Sequence, residues 1–425
     1  MSFNEHKQVG TIMSLIYAIV IALLIFSILF VKSFRTTDML IIYPYTVFVT
    51  TFMLSRVVGS LFYKSPSKKI EPGKELSVSF IIPSKNEEKA IYDTIRHCAI
   101  CEYPKDKIEI IAINDGSTDN TLQEMERAKR DFQEVSIKII NWKKNRGKRE
   151  GMNTGFREAR GEIVIQLDSD SFPAPDALPY LLSPFEDKEV AAVAAHTDPA
   201  NQDENILTKM QTAYYFMSFR ALKATESIFN IVFCCSGCCS AYRKKYVLPV
   251  LKEFNEETFL GKKYPYGDDR ALTNQMIKRG YKTIYAADAQ AYTIVPNNFR
   301  QLFKQQTRWK KGWFINSIRA SRFIVKRDAF VAFTYFLPLM LFTLLTPIIA
   351  FKALVLNPII WGISPMVYVF GIMIISFLTY AHYKVYDGGK YGRYMILWSI
   401  LNMTILSYII IYALYDLRNA TWGTR

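Results

Sequence analysis

Residues 162–170 read EIVIQLDSD, a short apolar run that ends abruptly on Asp168-Ser169-Asp170. β-Branched residues in a run of this length favour a buried strand. Both carboxylates then project from the end of a rigid element. The same arrangement occurs upstream, where 108–113 (IEIIAI) leads into Asn114-Asp115-Gly116-Ser117. Three more runs fit the pattern: 77–82 (SVSFII) before Pro83-Ser84-Lys85-Asn86-Glu87-Glu88, 136–140 (SIKII) before Asn145-Arg146-Gly147-Lys148-Arg149, and 189–195 (EVAAVAA). A helical pattern covers 87–101, and a polar helix begins near 119. Alternating strands and helices predict an α/β domain, with βαβ units around a mostly parallel sheet and helices on both faces. Ligands bind such sheets outside the carboxyl ends of the strands, where Asp115 and Asp168 fall by position alone.

Apolar segments lie on both sides of this domain. Residues 12–31 (IMSLIYAIVIALLIFSILFV) are uncharged and match the ~20 residues that cross a bilayer core. The run exceeds the ~7–15-residue apolar region of a signal peptide, and no small-residue cleavage motif follows it. A second stretch covers 39–62 and contains Arg56; others recur at 329–351, 364–381 and 394–415. The chain is expected to be an integral protein of the plasma membrane with membrane lipids around it. Lys64, Lys68, Lys69 and Lys74 follow the second stretch, as the positive-inside rule expects of a cytoplasmic flank. The N-terminus and the middle domain are then cytosolic. The formal charge of +15 clusters at membrane edges, and no recognition module accompanies it, so no nucleic-acid partner is expected.

Three full crossings after 328 would place the C-terminus outside. Yet His382, Lys384, Lys390 and Arg393 precede the last segment, and Arg418 and Arg425 follow it. Segments 329–351 and 364–381 are therefore expected to span, with 394–415 re-entrant or interfacial, which is tolerated where protein buries the backbone. The resulting division is 1–63 with two transmembrane helices, 64–298 as catalytic domain, 299–328 as amphipathic interfacial helices, and 329–425 as a second membrane region.

The six cysteines are Cys98, Cys101, Cys234, Cys235, Cys238 and Cys239. Two pairs have the C-x-x-C spacing of zinc sites. Small cysteines packed beside a substrate groove fit CCSGCC better, and a cytosolic domain argues against disulfides.

Hard divalent cations bind through one or two carboxylates together with substrate phosphates. On that chemistry Asp170 is the expected principal ligand for Mg2+ or Mn2+, with Asp168 contacting ribose or metal. A second pair, Asp268-Asp269, precedes Arg270 and a helix expected to start near Ala271. Sugar transfer to a hydroxyl needs a base; either aspartate suits, with its neighbour orienting it or capping the helix. Gln305, Arg308 and Trp309 share one helical face by i, i+3, i+4 spacing. Arginine suits phosphate and an indole suits a sugar face, while Lys304, Lys310, Lys311, Arg319 and Arg322 also mark 299–324 as a membrane-surface helix.

Taken together, these motifs resemble the family-2 processive glycosyltransferases, whose series is D, DxD, [E/G]DD and QxxRW. Within that group, which includes cellulose, chitin and hyaluronan synthases, the chain is most similar to bacterial hyaluronan synthases. The matches are Asn145 to Arg149, Cys235-Ser236-Gly237, Glu257 to Gly261, Gly267 to Asn274 and the terminal Trp422 to Arg425. The resemblance spans nearly the whole chain and implies a GT-A fold, UDP-sugar donors, inversion at the anomeric carbon and extrusion of a growing polysaccharide. It assigns Asp115 and Lys148 to the uridine part, Asp168 and Asp170 to donor diphosphate and metal, and Asp269 to the base. It places Trp309 on the acceptor sugar, with Gln305 and Arg308 near the diphosphate and Gln305 also toward the acceptor. Cys235, Ser236 and Gly237 fall at the acceptor. Trp422, Thr424 and Arg425 would close over UDP from a cytosolic C-terminus. Two departures stand out: Asn114 replaces a second aspartate, and Cys238 replaces a proline near the acceptor, which bears on sugar specificity. Hyaluronan from UDP-glucuronate and UDP-N-acetylglucosamine is the leading product. A glucuronate–glucose capsule polymer, a chitin-like or cellulose-like homopolymer, or a single-sugar lipid product are the alternatives. Monomer and homo-oligomer both fit the sequence.

Overall fold

The computed structural model describes residues 41–419, apart from 67, 72, 388 and 389. The expected span at 12–31 and the terminal Trp422, Thr424 and Arg425 lie outside the described residues. Helix α1 (Ile42–Leu61) comes first, followed by strands β1 (Val78–Ser84), β2 (Ile108–Asp115), β3 (Ser136–Trp142), β4 (Ile163–Gln166), β5 (Ser171–Pro173), β6 (Val190–Pro199) and β7 (Ser240–Arg243). A small hairpin of β8 (Thr258–Phe259) and β9 (Lys262–Lys263) precedes β10 (Lys282–Thr293). The large sheet has the order β3-β2-β1-β4-β7-β6-β10-β5.

Strands β1 to β4 pair in parallel, as the apolar runs predict. Beyond β4 the sheet is mixed: β7 lies antiparallel to β4 and β6, and β5 returns antiparallel on β10. Strand β7 is only SAYR, too short and too polar to show a period. Residues of β1, β2 and β4 are buried throughout, because helices cover both faces and leave no side for water. Side chains alternate accordingly. Phe80, Ile82, Ile110 and Ala112 pack with α2 (Ile91–Ala99) and α3 (Thr121–Asp131). Ile81, Ile111 and Ile113 pack with α4 (Lys148–Glu158) on the other face. Each such isoleucine contributes roughly 1.5–3 kcal/mol on burial. Strand ends are thereby fixed, and so are the aspartates that follow them.

Helices α5 (Ile206–Phe216), α6 (Asp268–Lys278) and α7 (Phe299–Ser321) complete the domain. Then come α8 (Ala329–Trp361), α9 (Met366–Asp387), α10 (Tyr394–Thr404) and α11 (Leu406–Arg418). Helices α8 and α9 are long and apolar enough to cross a membrane. Helix α8 contains the expected span 329–351 and runs ten residues past it, whereas α9 starts at Met366, two residues after the expected 364, and runs on to Asp387. Helix α8 has 33 residues, about 50 Å at ~1.5 Å per residue, and carries π-helical turns at Ala332–Phe336 and Lys352–Leu356. Helices α10 and α11 meet at a 43° bend, the geometry of a broken span or a re-entrant loop. Tyr45 and Val49 of α1 pack on Ile349, Tyr368 and Ile372. Val57, Phe216, Leu302, Tyr383 and Trp398 form a further core that joins α1, α5, α7, α9 and α10. The sheet domain and the apolar helices therefore share buried surface.

Candidate active site

Asp115 ends β2 and is buried. Its carboxylate accepts hydrogen bonds from the backbone N–H groups of Arg146 (2.6 Å) and Gly147 (2.9 Å), which fixes the loop before α4. Lys148 opens α4 and its ammonium pairs with Asp168. Burial pushes the Lys148 ammonium down, but Asp168, Asp268 and Asp269 outweigh it and hold its pKa above the usual value. Asn114 bonds Asn141 on β3 at 2.8 Å and accepts from the N–H of Ser117, so it serves the sheet and the turn.

The Asp168–Asp170 turn is fastened from three directions. The N–H of Asp168 donates to the Gly237 carbonyl (2.8 Å), the N–H of Ile294 donates to the Asp170 carbonyl (3.2 Å), and the Thr94 hydroxyl donates to the Ser169 carbonyl (2.8 Å). A Cβ on Gly237 would meet an Asp168 carboxylate oxygen at 2.8 Å, so a larger residue there would displace that carboxylate.

Helix α6 starts at Asp268, three residues before the expected Ala271, because Gly267 supplies a left-handed N-cap with φ 69°. Neither aspartate side chain caps the helix. Asp268 is buried and ion-paired with Arg149 at 2.9 Å; Arg149 also binds Glu257 (3.1 Å) and the Phe254 carbonyl (2.9 Å). Burial pushes the Asp268 carboxyl up, against the pull of Arg149 and Lys148. Asp269 is half-buried. One of its oxygens accepts the Arg270 N–H (2.8 Å), and the other faces the Cys234 thiol at 3.3 Å. Asp268 is thus committed to a structural cation, while Asp269 faces a neutral thiol.

Helix α7 crosses the start of α6 at Gly312, where a Cβ would meet the Gly267 backbone at 2.8 Å. This contact brings Gln305, Arg308 and Trp309 to the carboxylates. Burial lowers the Arg308 guanidinium pKa, opposed by Asp168 and Asp268. Trp309 keeps 38% of its surface exposed.

All these groups line one cavity of about 720 Å³. Asp115, Lys148, Asp168, Asp170, Asp268, Asp269, Gln305, Arg308 and Trp309 meet there, and Ser236, Gly237 and Cys238 contribute to its wall. Cys235 is a correction: it does not reach the cavity but is fully buried in the core with Tyr242 and Ala271, its N–H donating to the Thr273 hydroxyl and its carbonyl accepting from the Tyr242 hydroxyl. Sequence reasoning also missed Arg149, Cys234 and Lys223. Arg149 lay inside a quoted motif, but its partner is 119 residues away, so spacing gave no signal. All six cysteines are free. Among the described residues no group of three or more His, Cys, Asp or Glu side chains is gathered as metal ligands would be.

Residues 79–250 match the model of glycosyl transferase family 2. The chain carries a family-2 glycosyltransferase domain. A hyaluronan synthase from Streptococcus pyogenes is 29% identical over 386 residues, covering 90% of each chain. An N-acetylglucosaminyltransferase from Rhizobium meliloti (strain 1021) is 28% identical over 412 residues, covering 92% of each. A mannosyltransferase from Pyrobaculum calidifontis, solved in complex with GDP-Man and Mn2+, shares the fold with a TM-score of 0.60 at 20% identity, covering 88% of this chain and 95% of that one. The mixed sheet with its two helical layers is a GT-A fold. With α8 and α9 beside that domain, the enzyme is a membrane glycosyltransferase.

Proposed function

We propose that this glycosyltransferase processively polymerises UDP-sugars into a β-linked polysaccharide and passes the product outward between its own membrane helices. UDP-glucuronate and UDP-N-acetylglucosamine are the donors and hyaluronan is the product. The observation that carries this reading is the convergence of all four motif groups on one cavity, where Asp268 is taken up by Arg149 and its neighbour Asp269 faces the Cys234 thiol.

Asp269 removes the proton from the acceptor hydroxyl as that oxygen attacks the anomeric carbon, and UDP leaves from the opposite face. Asp115 and Lys148 hold the nucleotide end. Arg308 stabilises the diphosphate through charge-assisted hydrogen bonds. Trp309 offers an indole face to the acceptor sugar, and Gln305, Ser236 and Gly237 line its path. Asp168 and Asp170 fit a divalent cation, Mg2+ or Mn2+, because two carboxylates on a pinned turn leave room for phosphate oxygens in the shell. Such an ion would neutralise charge on the departing diphosphate. Trp422, Thr424 and Arg425, in the C-terminal residues, would close over UDP. The basic flanks support a cytosolic catalytic domain and cytosolic termini.

The similarity to the rhizobial N-acetylglucosaminyltransferase favours a second reading, an N-acetylglucosamine homopolymer. Purified enzyme supplied with UDP-sugars singly and in pairs, with Mn2+ or Mg2+, separates the two. Long product that needs both donors and yields to hyaluronidase is expected. Long product from UDP-N-acetylglucosamine alone moves the assignment to the homopolymer, and a single-sugar lipid product refutes polymerisation.

A further inference from the structure

Lys223 ends the π-helical turn Met217–Lys223 that continues α5, and such turns are frequent at functional sites. It lines the cavity while only 7% exposed. Its ammonium donates to the Ser236 hydroxyl at 3.1 Å and lies 3.9 Å from the centroid of the Phe219 ring. Among the described residues no carboxylate reaches ion-pair distance of it; Glu226, three positions on, turns instead to the Tyr335 hydroxyl and the Phe233 N–H. The other deep cations of the cavity face carboxylates. Lys148 meets Asp168, Arg270 lies in the field of Asp269 and Glu226, and Arg308 in that of Asp168, Asp268 and Asp269, whereas Lys223 has the field of Glu226 without a carboxylate in contact.

The location of this ammonium matters as much as its partners. Ser236 sits between Cys234, whose thiol touches Asp269, and Gly237, which lies against Asp168. A donor hexose must lie between its diphosphate and the base, where it meets the acceptor, so the Lys223–Ser236 pair borders that hexose as well as the acceptor's path. A buried ammonium in direct contact with one hydroxyl and one ring, and only in the field of Glu226 beyond them, is incompletely compensated for lost hydration. A ligand that brings an anion to it relieves that cost through a charge-assisted hydrogen bond. Among sugars, a hexuronic acid carries such an anion on C6.

We infer that Lys223, with Ser236, forms a carboxylate subsite that selects the hexuronic acid moiety of a nucleotide-sugar donor. This inference rests on the two-donor reading above and assigns the uronate half of it to one side chain. The test measures KM for UDP-glucuronate and for UDP-N-acetylglucosamine, and inhibition by UDP, in full-length wild type, Lys223→Gln and Lys223→Arg. The expected result is a rise of about tenfold or more in KM for UDP-glucuronate in Lys223→Gln, with KM for UDP-N-acetylglucosamine and the UDP inhibition constant within about twofold of wild type. Lys223→Arg should recover most of the loss. Equal weakening of both donors and of UDP would make Lys223 a diphosphate contact and overturn the subsite, while the two-donor product of the wild type would still stand. No change in any constant, or failure of Lys223→Arg to recover, overturns it as well. A wild type that polymerises without any uronate removes the two-donor reading and this subsite together.

Discussion

Asp268 and Asp269 are neighbours in sequence, yet Arg149 meets only the first of them. Replacing Asp269 by Asn should lower elongation by a hundredfold or more, within the ~10²–10⁴ range of general-base catalysis, while UDP-sugar binding stays measurable. Retained elongation would move the base elsewhere. Asp268→Asn should act on the fold, because it leaves Arg149 a buried cation short of one partner; breaking such a pair costs roughly 3–5 kcal/mol, read as a lowered Tm. Lys310 offers a pH test at the cavity wall. Burial pushes its ammonium down from the ordinary 10.5 to about 8. The folded state therefore disfavours the charge below pH 8, and stability should rise as pH climbs from about 8 towards 10.5. Donor binding should move the opposite way, with KM for either UDP-sugar increasing above pH 8 as a positive charge is lost. In Lys310→Met that limb of the KM profile should vanish.

At the scale of elements, the site depends on the close crossing of α6 and α7. Gly312 lets α7 approach the backbone of Gly267, and the Asn316 amide closes the contact by donating to the Gly267 carbonyl at 3.2 Å. Gly312→Ala should push the two helices apart by backbone, since no flexible side chain is there to yield. Elongation should fall at least tenfold, and UDP binding, which the proposed reading divides between the β2 and β4 ends and Arg308 of α7, should weaken less; an unaltered rate would show that the crossing has slack. The elements that were legible in the sequence are those buried on both faces, such as β1, β2 and β4, because their apolar runs are continuous and end at a change of polarity. Strand β7 was illegible: four residues that follow a cysteine-rich bend have no period to read. The start of α6 was misjudged by three residues because Gly267, and no aspartate side chain, ends the preceding turn. Within CCSGCC, sequence marked the right bend but could not tell which residues face the cavity. Ser236 faces it and Cys235 does not, a matter of how the bend packs on Tyr242 and Thr273.

At the scale of the whole molecule, Asp269, the proposed base, and the membrane helices are joined through one buried acid. Glu226 receives the hydroxyl of Tyr335 from α8 on one oxygen and the Phe233 N–H on the other, at 3.0 Å. Arg56 of α1 stacks over the Tyr335 ring at 4.7 Å and donates to the Thr334 carbonyl at 3.2 Å. The next residue after Phe233 is Cys234, whose thiol touches Asp269. A shift of α8 against α1 would thus be passed along a few covalent links to the base. Tyr335→Phe removes only the hydroxyl and leaves one Glu226 oxygen short of its donor, a loss of roughly 1.5–3 kcal/mol for a hydrogen bond to a charged group. On the proposed reading the variant should retain UDP-sugar hydrolysis and should lose polymer formation, which would need an acceptor delivered from the membrane side. The measurement is the ratio of UDP released to sugar incorporated, expected to rise severalfold over wild type. A parallel fall of both quantities would mean that the hydroxyl only holds the fold together. An unchanged ratio at full activity would mean that α8 and the base move independently.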